Sequence, residues 1–212
     1  MTRGRQPPAS LRRKVGERQP RKTLVILCEG QRTEPEYLDA LRRDREVHDV
    51  AAVDIRIESN ASGAVPLTLV RRAIEIRERA RQEQSEIDEI WCVYDVEWPK
   101  HHPSLTEARD LAQRNGINLA VSNPCFELWL VLHFRDYRRF LDNEEARRVR
   151  RDHDGSADKG IDGVVYMPYK RDAARRAAAL DRVHQQNGNR IPNDNPSSGM
   201  HRLMESVLPP QA

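Results

Sequence analysis

Two short acidic motifs close apolar runs in this chain. Glu29-Gly30 follows Thr23-Leu24-Val25-Ile26-Leu27-Cys28, and Asp95-Val96-Glu97 follows Glu89-Ile90-Trp91-Cys92-Val93-Tyr94. Converging carboxylates suit a hard divalent cation, which takes oxygen donors; magnesium keeps several waters and is commonly held by one or two carboxylates together with a substrate's phosphates. In an extended stretch residues i and i+2 point the same way, so Asp95 and Glu97 are expected to face one Mg2+ or Mn2+ ion that relieves their mutual repulsion. Glu29, beside Gly30, either completes the coordination or shuttles a proton to a leaving oxygen, and the sequence leaves both roles open. Glu127 is a further candidate metal ligand. It sits in Phe126-Glu127-Leu128-Trp129-Leu130-Val131-Leu132-His133-Phe134, where a charge is costly to bury unless it is paired or metal-bound. Glu29, Asp95 and Glu97, taken singly, have a plainer explanation as solvated loop residues after strands, so the chemistry rests on their convergence.

Convergence requires a particular architecture. The run 23–28 reads as a strand buried on both faces, and Thr33 with Glu36 has capping-box spacing ahead of a helix carrying Tyr37, Leu38 and Leu41. Val53, Ile55 and Ile57 alternate as a second strand. Ser62-Gly63 and Pro66 lead into a helix with Leu67, Val70, Ile74 and Ile76, and 89–95 forms the third strand. A helix over 103–113 ends near Asn115-Gly116, and a fourth strand runs from Ile117 to Ser122. Strands alternating with helices predict an α/β fold, a mostly parallel four-stranded sheet flanked by helices. Ligands of such sheets bind beyond the carboxyl ends of the strands, where Glu29 and Asp95 fall.

The 126–134 stretch is expected to be a buried helix closing the core. Residues 147–163, charged and glycine-punctuated, read as a mobile loop, followed by a helix over 170–184 and a last helix over 199–207. The expected organisation is a basic disordered arm at 1–21, an α/β core at 22–135 and a helical extension at 136–212 packing on that core. Arg3, Arg5, Arg12, Arg13, Lys14, Arg18, Arg21 and Lys22 against Glu17 give the first 22 residues a charge of +7, leaving −4 for the remainder of a chain whose net charge is +3. Attraction to polyanions is therefore concentrated in the arm, which either contacts phosphates or merely solubilises the chain.

Phosphate contacts are also expected of Gly30, of Arg32 beside Glu29, of Lys170 with Arg171 at a helix start, and of Ser197 and Ser198 ahead of the last helix; helix capping explains the two serines equally simply. His133 reads as a hydrogen-bonded core histidine, and His101 and His102 as loop histidines within reach of a phosphate or proton. Cys28, Cys92 and Cys125 are odd in number and far apart, which argues against a disulfide framework or zinc site and for buried thiols in a reducing compartment. No apolar run approaches the ~20 residues of a membrane helix and no secretory signal is expected, so the chain is placed in the cytoplasm. It lacks G-x-x-x-x-G-K-[ST], and so has no Walker-type nucleotide site of its own.

Glu29-Gly30 after one apolar strand, with Asp95-x-Glu97 after another two βα units later, resembles the Toprim domain of topoisomerases, primases and overcoming-lysogenization-defect nucleases. The resemblance narrows further. Val25-Ile-Leu-Cys-Glu-Gly-Gln-Arg-Thr-Glu-Pro-Glu-Tyr37, Asn123-Pro-Cys-Phe-Glu-Leu-Trp129 and Asn195-Pro-Ser-Ser-Gly199 are similar to blocks of the RloB-like family, over most of residues 22–208. Asp95-Val96-Glu97 departs from the D-x-D more usual there. The resemblance implies a Toprim-type fold, with Glu29, Asp95 and Glu97 as catalytic carboxylates, and a place in restriction-linked and abortive anti-phage defence, often beside an AAA-type ATPase partner. The leading expectation is a Mg2+- or Mn2+-dependent nuclease acting on DNA or RNA. Its rivals are a non-catalytic nucleic-acid-binding or regulatory subunit of a partner ATPase, and nucleotidyl transfer by the same metal chemistry.

Overall fold

The computed structural model describes residues 22–50, 53–59, 65–155 and 160–209. The expected basic arm at 1–21 and the Ser62-Gly63 turn lie outside these described residues. Strands β1 (Lys22–Cys28), β2 (Val53–Ser59), β3 (Glu89–Asp95) and β4 (Asn118–Asn123) alternate with helices α1 (Thr33–Arg43), α2 (Pro66–Gln82) and α3 (Leu105–Arg114). There follow α4 (Phe126–Phe134), α5 (Asn143–Asp154), the short α6 (Gly163–Tyr166), α7 (Lys170–Gln186), a two-residue strand β5 (Ser197–Ser198) and α8 (Met200–Val207). The sheet order is β2-β1-β3-β4-β5, with β1 parallel to β2 and β3, and β3 parallel to β4.

The strands are apolar on both sides because both sides are covered. Leu24, Ile26 and Cys28 of β1, with Trp91 and Val93 of β3, join the core formed by α1, α4, α7 and α8. The alternate residues Val25, Leu27, Ile90, Cys92 and Tyr94 face α2 and α3, as the period of two in a strand dictates. Asp95 continues the Trp91-Val93 alternation, which directs it to the side covered by α1 and α4. All three cysteines are free and buried. Among the described residues no helix is long and apolar enough to cross a membrane.

Helix α4 is buried along nearly its whole length, Glu127 and His133 included, and it closes the core as its composition predicts. His133 is a core histidine: its Nε2 lies 3.1 Å from the Tyr37 hydroxyl and its Nδ1 2.9 Å from the Trp129 carbonyl oxygen. Burial lowers its pKa to about 3, so the ring is neutral. Beyond α4, Leu141, Ala146, Tyr166, Ala173, Met200 and Val207 join the same core as β1 and α1.

Three expectations need correction. The sheet has five strands, not four, because Ser197 and Ser198 pair antiparallel with Asn123 and Ser122; two residues are too few to show alternation, and their partner is distant in sequence. Gly199 permits this return, since a Cβ there would stand 2.9 Å from the Val121 backbone nitrogen. Residues 147–154 are helix, not loop: Asp142 caps α5 by accepting the Glu145 N–H and left-handed Gly155 ends it. Its buried face is Ala146, Val149 and Arg150, an apolar stripe so thin that the surrounding charge hides it; Arg150 is ion-paired to Asp154 at 2.6 Å. The capping box also fails to form. Thr33 already lies inside α1, and Glu36 instead pairs with Arg32 and accepts the Ile161 N–H.

Candidate active site

At the carboxyl ends of β1 and β3 the chain encloses a cleft of about 540 Å3, bordered by five carboxylates: Glu29, Glu34, Asp95, Glu97 and Glu127. Gly30, Gln31, Arg32, Thr33, Phe126 and Arg147 complete its wall. The sheet itself sets the separations. Glu29 follows β1 directly, its N–H donates to the Val93 carbonyl, and its Oε2 accepts the Asp95 N–H at 3.1 Å, so the first two acids are tied across neighbouring parallel strands.

Glu97 is positioned differently from the expectation of an extended D-x-E. Its φ of 66° is left-handed, a conformation that costs a non-glycine residue of order 1 kcal/mol or more. Bonds from the Val96 and Glu97 N–H groups to the carbonyls of Ser122 and Pro124 fix the turn, and the Asn143 amide donates to the Glu97 carboxylate. Asn143 also accepts the Trp98 N–H at 3.0 Å, so one side chain of α5 holds both neighbours in this strained segment.

Glu34 was not singled out by sequence, yet with Glu127 it is one of the two buried acids of the cleft. It shares a helical face with Tyr37, Leu38 and Leu41, at i+3, i+4 and i+7, and all four are buried in α1. That periodicity was the available signal. Its carboxylate accepts the N–H groups of Gly30 and of Glu34 itself, and a Cβ on Gly30 would lie 2.0 Å from one carboxylate oxygen. Glycine at 30 is therefore a packing requirement of the site.

The electrostatics of the cleft follow from crowding. Burial, opposed by the Asp95 N–H and reinforced by Glu97, raises the Glu29 pKa from 4.5 to about 7. Burial, with Glu127 and Glu29 nearby, raises Glu34 likewise to about 7. Desolvation of the Asp95 carboxyl, with Glu34, Glu127, Glu29 and Glu97 facing it, raises its pKa well above the ordinary carboxylate range. Its Oδ1 has no hydrogen-bond partner among the described residues. Two basic side chains stand against this charge, neither with hydrogen-bond geometry: Arg147 lies 3.7 Å from Glu127, and His102 Nε2 stands 2.8 Å from Glu29 Oε1.

The donor set suits a hard cation: it is all oxygen, negatively charged in excess, and includes a buried carboxylate oxygen without a donor. Among the described residues no group of three or more His, Cys, Asp or Glu side chains is arranged to hold a metal ion by itself. Magnesium does not require one, since it uses one or two protein carboxylates and fills its octahedron with water and phosphate.

Of the residues expected at the site, Glu29, Gly30, Arg32, Asp95, Glu97 and Glu127 are brought together, whereas Lys170, Ser197 and Ser198 do not line the cleft. Lys170 is buried and paired with Asp44 and Glu46 at 3.2 and 3.1 Å, beside Arg171, which also binds Glu46. Ser197 donates to Asp194, and the Ser198 hydroxyl lies 3.3 Å from that of Ser122. Besides Glu34, the sequence reading missed Asn143 and Arg147, both on α5, which it took for a loop from residue 147 onward.

A family model described as RloB-like protein matches residues 24–207. Comparison with curated proteins and with solved structures gave no match.

Proposed function

The chain belongs to the RloB-like family, and from that premise and its cleft of five carboxylates we propose that it is a Mg2+- or Mn2+-dependent, Toprim-type nuclease acting on DNA or RNA. The observation that carries this reading is Asp95: a carboxylate with a buried, unpartnered oxygen, placed among four other acids at the carboxyl ends of parallel strands. A protein with no use for a cation there would be expected to replace at least one of these acids, because each adds repulsion that burial makes expensive.

Asp95, Glu97 and Glu127 are the proposed metal-holding residues. A bound divalent ion supplies Lewis-acid polarisation of a phosphodiester and stabilises charge on its oxygens. Glu29 is the proton shuttle: its pKa of about 7 suits proton exchange at neutral pH, and His102 Nε2 lies 2.8 Å from its Oε1. Arg147 and Arg32, on the cleft wall, attract and orient the phosphate. Glu34 sets the charge of the floor and holds Gly30 against it. A cytoplasmic role in anti-phage defence beside an AAA-type ATPase belongs to the same proposal, and the buried free cysteines accord with a reducing compartment.

The test is incubation of the full chain with single- and double-stranded DNA and RNA in Mg2+, Mn2+ or EDTA. Cleavage is expected only with metal, and Glu29→Gln is expected to reduce it by roughly 10²- to 10⁴-fold, the range of one acid–base group, while leaving Mn2+ binding intact. Cleavage that persists in EDTA, or that Glu29→Gln leaves unchanged, contradicts the proposal.

A further inference from the structure

The segment that follows Glu97 carries an aromatic group with no part in the metal chemistry. The Trp98 ring packs edge-to-face on Phe140, centroids 5.0 Å apart at 82°, and leans on His101 at 4.6 Å. Phe140 leaves 53% of its surface bare. Both rings stand on clamped backbone. Asn143 accepts the Trp98 N–H, and the Asn195 side chain accepts the Leu141 N–H at 3.2 Å and donates to the Leu141 carbonyl at 2.8 Å. An exposed phenylalanine on a free loop could turn inward; this one is held out.

The surroundings point to what it meets. Arg138 and Arg139 immediately precede Phe140, are exposed, and form no ion pair among the described residues. Trp98 is one peptide from Glu97. Asn143, which fixes Glu97, is one helical turn from Arg147 on the cleft wall. Flat apolar rings beside unpaired guanidinium groups, with Trp98 one residue along the chain from the cleft's Glu97, form the recognition pattern of an unpaired strand: the bases stack while the cations follow the backbone. A duplex keeps its bases stacked on one another and offers such rings nothing comparable.

We infer that Trp98 and Phe140 form a base-stacking platform, and that the chain engages nucleic acid as a single-stranded segment whose base beside the reacting phosphate lies on Phe140. This rests on the nuclease reading for its geometry relative to the cleft, but binding tests it separately. Fluorescence anisotropy of the full chain with labelled oligothymidylate, with oligoadenylate RNA and with a duplex of equal length, in EDTA, reads the platform alone. Phe140→Ala removes an exposed ring and is expected to weaken single-strand binding by about tenfold or more, with Phe140→Trp restoring it and duplex binding little changed. Single-strand affinity unaffected by Phe140→Ala, or an equal loss on duplex, overturns the inference. Wild-type protein that binds single strands through Phe140 yet cleaves nothing upholds the platform while removing the nuclease reading; metal-dependent cleavage with affinity and KM indifferent to Phe140→Ala does the reverse.

Discussion

Asp95→Asn is expected to lose metal-dependent cleavage by about three orders of magnitude, the rate equivalent of several kcal/mol of lost charge stabilisation, and at the same time to melt higher than the parent chain in EDTA near pH 8. Both effects have one cause. The Asp95 Oδ1 is buried and lacks a donor, and four carboxylates surround the side chain. Without a cation its ionised form is held against desolvation and repulsion together. An amide of the same shape carries no charge and can donate to a neighbouring carboxylate, which removes a cost of about 1–3 kcal/mol and raises Tm by roughly 2–10 °C for a chain of this size. The gain should shrink toward pH 5, because the raised pKa increasingly favours the protonated wild-type carboxyl as pH falls. Thermal melts at both pH values check this; an unchanged or lowered Tm at pH 8 contradicts the account of Asp95 as a strained, cation-requiring acid.

The metal-free protein is expected to lose stability as pH rises from about 4.5 to about 7. Glu29 and Glu34 both have folded-state pKa values of about 7 against an ordinary 4.5. In that interval the native state therefore binds more protons than the unfolded chain, so stability is full below 4.5 and declines through 7. For Glu29 the shift corresponds to on the order of 3 kcal/mol. His133 acts in the opposite sense: its folded-state pKa of about 3 lies below the ordinary 6.5, so its contribution is full above 6.5 and is lost as pH falls toward 3. Together they predict a stability maximum on the acid side of neutrality in EDTA. Saturating Mn2+ should erase the decline above it, raising Tm more near pH 8 than near pH 5, since metal binding displaces the protons. A melting temperature flat across pH 5 to 8 in EDTA, or a metal increment equal at both ends, rules out this coupling.

What the sequence disclosed and what it hid follow from the range of the interactions involved. The strands bearing Glu29 and Asp95 are continuous apolar runs, so their parallel pairing and the meeting of their acidic ends could be anticipated from local pattern. Glu34 lay within the same periodicity as Tyr37, Leu38 and Leu41, but an acid in the first turn of a helix is ordinary and did not stand out. The α5 helix was misread from residue 147 onward because a single row of Ala146 and Val149 supports it amid charge, and with it went Arg147; Asn143, ahead of that stretch, is a lone polar residue whose partners are distant in sequence. Ser197 and Ser198 resembled a phosphate loop, whereas a non-local pairing with β4 buries them. Lys170 sits at a helix start as expected, but Asp44 and Glu46, well over a hundred residues earlier, neutralise it.

The central claim is that these carboxylates exist to share a divalent cation, and calorimetric titration of Mn2+ into the EDTA-stripped, desalted chain near pH 7.5 tests it most directly. Run in two buffers of different ionisation enthalpy, the titration should show saturable binding with net proton release, and Asp95→Asn should abolish or greatly weaken it. Absence of binding heat in both buffers, or equal affinity in the variant, would contradict the claim.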